Sequence, residues 1–173
     1  EGAHNTAEFD ISSFVKEGEN ELIAVVHKWS NGTFLECQDM FRENGIFRDV
    51  LLHAYEKTYI YDYEAISAKK GDKYNLNIKA DIKGDLKNKK VEIALMDGKN
   101  VIATETVDAE KITEVTFKNL EVDEWSAEIP RLYELYITLL DGKKEVMTIR
   151  SYTGFKDIKN KNAVFYFNGK KVK

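Results

Sequence analysis

A chain of 173 residues, 43% of them hydrophobic, is long enough to bury one large core or two small ones. Its 26 basic and 30 acidic side chains are interspersed, so the formal charge of −4 comes without the basic stripe that nucleic-acid binding needs, and nucleic acid is excluded as a partner. No apolar run reaches the roughly 18 to 20 residues that span a bilayer, and the single cysteine, Cys37, excludes an intrachain disulfide framework and fits a reducing, cytoplasmic compartment.

Glu1 to Asn5 has neither periodicity nor a helix cap and reads as loop. Glu8-Phe9-Asp10 leads to Phe14, the cluster Lys16-Glu17-Gly18-Glu19-Asn20 predicts a turn, and Glu21 to Trp29 predicts a buried strand from its β-branched content. From Trp29 to Arg42 the chain is polar in a way no sandwich core requires. Trp29, Phe34 and Phe41 stand beside carboxylates and an amide there, a mixture that suits sugar recognition, because rings stack on apolar pyranose faces while carboxylates accept hydrogen bonds from hydroxyls. The competing reading is a surface loop anchored by its aromatics. Asn31-Gly32-Thr33 fits a glycosylation sequon and is read as turn chemistry. Arg42 and Arg48 flank Gly45, and Ile46 to Ala54 predicts the next strand, with Arg48 and Asp49 as members of structural ion pairs.

From about Thr58 to Tyr152 the chain repeats a short alternating run and a turn. Tyr59, Tyr61 and Tyr63 share one face of the first run and are read as core packing. Tyr74, Leu76, Ile78, Ala80 and Ile82 share one face of the second, and Val91, Ile93 and Leu95 one face of the third. Asp97-Gly98 and Asp141-Gly142 are hairpin signals around further runs at Val101–Val107, Val115–Phe117, Tyr133–Leu139 and Glu145–Ser151. Seven short strands at roughly ten-residue spacing argue an all-β chain with a disulfide-free immunoglobulin-like sandwich. Trp125 to Leu135 interrupts the rhythm and holds the only proline, Pro130, so it predicts a corner joining two sheets, with Trp125 and Leu132 plugging the core. Asn168-Gly169 closes the chain with a strong hairpin signal.

Four stretches together resemble the β-galactosidases of glycoside hydrolase family 2: Gly18-Glu19-Asn20-Glu21-Leu22, the run Leu35-Glu36-Cys37-Gln38-Asp39-Met40-Phe41-Arg42, the corner Trp125-Ser126-Ala127-Glu128-Ile129-Pro130 with Leu132-Tyr133, and Gly154-Phe155 followed by Asn168-Gly169-Lys170. The resemblance implies three parts: residues 1–56 as the C-terminal part of a sugar-binding jelly roll, 57–153 as the immunoglobulin-like domain, and 154–173 as the lead-in to a catalytic barrel. It implies that Asp39 contacts galactosyl hydroxyls and helps to hold a monovalent cation, Na+ or K+, while Mg2+ belongs to the barrel. Glu36 and Gln38 would orient the loop. Cys37 departs from the family pattern, where an acidic residue is usual, and Phe41 from its tryptophan. Both catalytic glutamates would lie beyond this chain, so it would be inactive alone, and its partners would be the barrel, a β-galactoside and further copies of itself. A jelly roll needs about eight strands, and residues 1 to 55 can supply three or four, so this part is expected to be partly disordered or to pack on the next domain or on a second copy.

Two rival readings stay open. One keeps the architecture and changes the substrate to that of a β-glucuronidase or β-mannosidase. The other is a free-standing carbohydrate-binding or adhesion module, with Tyr59, Tyr61 and Tyr63 as its aromatic platform. His4, His27 and His53 are too far apart for metal-ligand spacing, Glu128 is read as structural, and there is no phosphate loop or nucleophile elbow.

Overall fold

The computed structural model describes residues 5–36 and 45–172. The chain divides into two units, Glu1–His53 and Ala54–Lys173. Among the described residues no helix is long and apolar enough to cross a membrane.

In the first unit the turn expected at Lys16 to Asn20 is present and is built by one side chain. Asn20 Oδ1 accepts the Lys16 N–H at 2.9 Å, while its Nδ2 donates to the carbonyls of Lys16 and Gly18 at 2.8 and 3.0 Å. A short helix, α1 (Asn31–Leu35), follows Ser30. The runs expected as strands at Glu21–Trp29 and Ile46–Ala54 carry no strand pairing. Extended backbone becomes strand only where a neighbour takes its N–H and C=O groups, and among the described residues neither run has a ladder partner. Their apolar side chains are correspondingly open, with Ile23, Val25 and Leu52 exposed by 74, 75 and 80%.

The second unit carries every strand of the described residues: β1 (Tyr59–Lys70), β2 (Lys73–Lys83), β3 (Lys89–Asp97), β4 (Asn100–Asp108), β5 (Ile112–Leu120), β6 (Tyr133–Asp141), β7 (Lys144–Thr153), β8 (Ile158–Lys161), β9 (Val164–Phe167) and β10 (Lys170–Lys171). A three-stranded sheet in the order β1-β2-β5 and a four-stranded sheet in the order β4-β3-β6-β7 make a sandwich in which every neighbouring pair is antiparallel. The fourth strand therefore lies beside β3, not beside β5 as in a constant-type immunoglobulin domain.

The period-2 alternation read from the sequence is the core. Leu76, Ile78 and Ala80 on β2, Val91, Ile93 and Leu95 on β3, and Ile137 and Leu139 on β6 are all fully buried. Each Val, Leu or Ile among them removed from water stabilises the fold by about 1.5–3 kcal/mol. The alternate positions face out and pair among themselves: Asn77 Nδ2 donates to Glu114 Oε1 and Thr116 Oγ1, each at 2.8 Å.

Two expectations are corrected. The tyrosine face on β1 is broken, because Ile60 pairs with Ile82 and Asp62 with Asp81, which leaves Tyr61 as a bulge with no partner on β2. Ile60 is thereby buried and Tyr61 is exposed. Nor do Trp125 and Leu132 plug the sandwich. Trp125 is half-buried and Leu132 is exposed, whereas Phe155 is completely buried with its ring edge-on to Tyr74 at 5.5 Å and to Tyr133 at 5.4 Å. The chain enters the sandwich through a close approach: at Gly84, with φ +104°, an added Cβ would lie 2.1 Å from the Lys57 carbonyl oxygen. Next to it Thr58 Oγ1 donates to the Asp85 carbonyl at 3.0 Å.

Beyond the sandwich β8, β9 and β10 form a meander in the order β10-β9-β8. None of its residues is buried. Its two turns place Asn162 and Ala163, then Asn168 and Gly169, at positive φ, the mark of type I′ hairpins.

Candidate functional site

The residues singled out for sugar binding sit at and after α1. Ser30 N–H donates to Thr33 Oγ1 at 3.1 Å and Glu36 N–H donates to the Gly32 carbonyl at 2.9 Å, so Asn31-Gly32-Thr33 serves as the helical turn that its composition suggests. Trp29 and Phe34 present their rings to solvent, 67 and 76% exposed, and Lys28 Nζ lies 5.8 Å from the centre of the Trp29 ring. Exposed flat rings beside polar groups are what stacking on a pyranose requires. Asp39, with Cys37, Gln38, Phe41 and Arg42, lies outside the described residues. On the far side of that segment Arg48 and Asp49 are exposed, and the Arg48 guanidinium lies over the Phe47 ring at 4.9 Å.

The second candidate is the corner Trp125–Pro130. Ser126 N–H donates to the Ile129 carbonyl at 2.9 Å and Ile129 N–H to Ser126 Oγ at 3.1 Å, which ties the corner into a closed loop ahead of the exposed Pro130. Glu128 is exposed, and hydrogen bonds from its own backbone amide and from Ser126 hold its carboxyl below the usual range. A general acid needs the opposite shift, and the Ser126 hydroxyl that helps to lower Glu128 is also one that closes the corner. At the other end of the corner Glu124 accepts from Lys69 Nζ at 2.5 Å and from the Tyr74 hydroxyl at 2.8 Å. The Lys69 ammonium lowers the Glu124 pKa, and burial, aided by that carboxylate, raises the Tyr74 hydroxyl. Arg131 pairs with Asp97 at 2.6 Å and lies over the Tyr133 ring at 4.6 Å.

This polar set joins the corner to both sheets and was not legible in the sequence, because its members are far apart along the chain. Neither were the further partners of Trp125. Its N–H donates to the Phe155 carbonyl at 2.8 Å, its carbonyl accepts from Asn168 Nδ2 at 3.0 Å, and its ring meets Phe167 edge-on at 6.0 Å. Gly154 is pressed against it, since an added Cβ would lie 3.0 Å from Trp125 Cδ1.

No group of three or more His, Cys, Asp or Glu side chains among the described residues could hold a metal ion. Two clefts on the second unit are shallow. One of about 600 Å³ lies between Asp72, Asp97, Glu121 and Tyr133, and the other, of about 530 Å³, between Ile102, Glu105, Phe117 and Asn119. Neither unites residues singled out from the sequence.

Comparison with known proteins covers nearly the whole chain. Residues 1–56 match the family model described as glycosyl hydrolases family 2, sugar binding domain, and residues 58–156 match the model described as glycosyl hydrolases family 2. Over 99% of its length the chain is 34% identical to a beta-galactosidase of Streptococcus thermophilus, and over 96% it is 37% identical to one of Alteromonas mediterranea. It is also 37% identical over 99% of its length to a beta-galactosidase of Staphylococcus xylosus. The chain spans 16 to 17% of the length of these relatives. Among solved structures, 67% of the chain superposes on 19% of a β-glucuronidase from Ruminococcus gnavus in complex with N1-substituted uronic isofagomine. The TM-score is 0.56 and the identity 17%, a likeness of fold.

Proposed function

The chain belongs to glycosyl hydrolase family 2, and from that membership we propose that it is a non-catalytic part of a β-galactosidase. Residues 1–56 are the end of its sugar-binding domain, 57–153 the immunoglobulin-like spacer, and 154–173 the lead-in to the barrel that carries out the reaction. The observation that carries this reading is the identity of 34 to 37% with beta-galactosidases over 96 to 99% of the chain, which takes in both the polar run around Asp39 and the corner at Trp125.

In the whole protein the reaction is retaining hydrolysis of terminal β-D-galactosides, which needs two carboxyl groups about 5–5.5 Å apart across the scissile bond. This chain supplies neither and is inactive alone. Its contribution is Asp39, whose carboxylate accepts hydrogen bonds from galactosyl hydroxyls, with the exposed rings of Trp29 and Phe34 nearby in sequence to stack on the sugar. A carboxylate is also the hard oxygen donor that a monovalent cation prefers, so Asp39 would hold Na+ or K+, while Mg2+ belongs to the barrel. The lone Cys37 supports a cytoplasmic protein, and the open apolar side chains of the first unit support assembly with the barrel and with further copies.

Asp39→Asn in the intact protein tests the reading. Removal of one charged acceptor from the site is expected to lower kcat/KM for a nitrophenyl β-D-galactoside by about 10²-fold or more, with the folded state unchanged. A protein that cleaves nitrophenyl β-D-glucuronide and not the galactoside would assign the chain to the β-glucuronidase reading. A variant with unchanged kcat/KM would remove Asp39 from the site.

A further inference from the structure

The meander β8–β10 has no buried residue of its own, so its direction relative to the sandwich rests on contacts at its edge. The Phe167 ring supplies one on Trp125, and the Asn168 side chain supplies the directional ones. Asn168 Oδ1 accepts the Asp157 N–H at 2.8 Å, its Nδ2 donates to the Trp125 carbonyl at 3.0 Å, and its own N–H donates to the Asp157 carbonyl at 2.8 Å. Three segments 43 and 11 residues apart in sequence therefore meet on one amide. None of the two side-chain hydrogen bonds is needed for the turn, which asks only for a residue that tolerates φ +48°. Around the junction the Trp125 indole is held by Phe167 at 6.0 Å, by Lys156 Nζ at 5.5 Å and by the bare Gly154 backbone. Phe155, between Gly154 and Lys156, is anchored in the core.

From this geometry we infer that Asn168 is a positioning residue: it fixes the direction in which the chain leaves the sandwich, and with it the placement of the catalytic domain that follows. The inference rests on the proposed β-galactosidase reading for its effect on catalysis, and on this chain alone for its effect on the meander. An amide suits the task because it donates and accepts at once in a fixed plane, and both of its neighbours are backbone groups that cannot move without moving their segments. A reacting group displaced by about 1 Å loses on the order of 10² in rate, so a loosened exit lowers turnover without touching the sugar contacts.

Asn168→Gly keeps the turn and removes both side-chain bonds. Asn168→Asp also keeps the turn, retains the acceptor for Asp157 N–H, and sets a carboxylate against the Trp125 carbonyl. In the intact enzyme both are expected to lower kcat by about 10- to 100-fold with KM changed less than about threefold. In this chain carrying Trp29→Phe, so that Trp125 is the sole tryptophan and can be excited selectively at roughly 295 nm or longer, beyond tyrosine absorption, both are expected to shift its emission to longer wavelength. They should also remove amide-exchange protection from 158–171 while leaving 59–153 protected. A kcat within twofold of the parent overturns the inference, as does lost activity accompanied by lost protection across β1 to β7, which would make Asn168 a general fold contact. If the intact protein cleaves no β-galactoside, the β-galactosidase reading fails instead. Asn168 then stands if the emission and exchange change as described, and falls if they do not.

Discussion

Residues 5–36 and 45–53 hold one five-residue helix and no strand, whereas every buried hydrophobic side chain of the described residues lies between Ile60 and Phe155. The residue types are the same on both sides. Ile23 and Val25 are 74 and 75% exposed in a run that reads Leu-Ile-Ala-Val-Val, while Ile78 and Val91 are completely buried in runs no more apolar. What differs is pairing: β2 is flanked by β1 and β5, and β3 by β4 and β6, so each buried residue is covered by a second sheet and each amide by a neighbour. A strand-forming sequence is thus only half of a strand, and the other half is the ladder that satisfies its backbone.

The largest test of that contrast is a pair of truncations. Phe155→Ala should cost about 3–5 kcal/mol of the sandwich's unfolding free energy in urea, because it empties the space between Tyr74 and Tyr133. Phe47→Ala, at a ring 69% exposed, should change it by less than about 0.5 kcal/mol. Equal losses would erase the distinction between the two regions.

A smaller effect is expected at the entrance to the sandwich. Gly84→Ala sets a Cβ 2.1 Å from the Lys57 oxygen at a φ that side chains rarely adopt, so the loop from Lys57 to Asp85 must shift. A loss of about 1–3 kcal/mol is expected, with protection against amide exchange falling first at Thr58. An unchanged urea midpoint would show that this approach is slack.

The smallest effect concerns pH. Glu124 titrates below its ordinary value near 4.5 because Lys69 donates to it. The sign follows from that direction: the folded state holds the charged form more firmly than the unfolded chain does. The stabilisation is therefore complete above the ordinary value and is lost as pH falls through the lower folded one. For a pair about a third exposed the contribution is about 1 kcal/mol or less. Glu124→Gln should flatten the fall in the urea midpoint below about pH 4.5, and an unaltered slope would assign the acid sensitivity to other carboxylates.

The alternation on β2, β3 and β6, the hairpins at Asp97-Gly98, Asp141-Gly142 and Asn168-Gly169, and the family were legible along the chain, because each is written in adjacent residues: a period of two, a glycine that accepts positive φ, a run of motif letters. Features that join residues distant in sequence emerge with the fold. The bulge at Tyr61 exists because β2 offers it no partner, and it turned an expected tyrosine face into a buried Ile60 and an exposed ring. Phe155 reads as a linker residue until Tyr74 and Tyr133, 81 and 22 positions away, close over it. Asn168 reads as a turn until its amide is found on Trp125 and Asp157. Local pattern records which face a side chain takes, and a contact across the core is a property of two places in the chain at once.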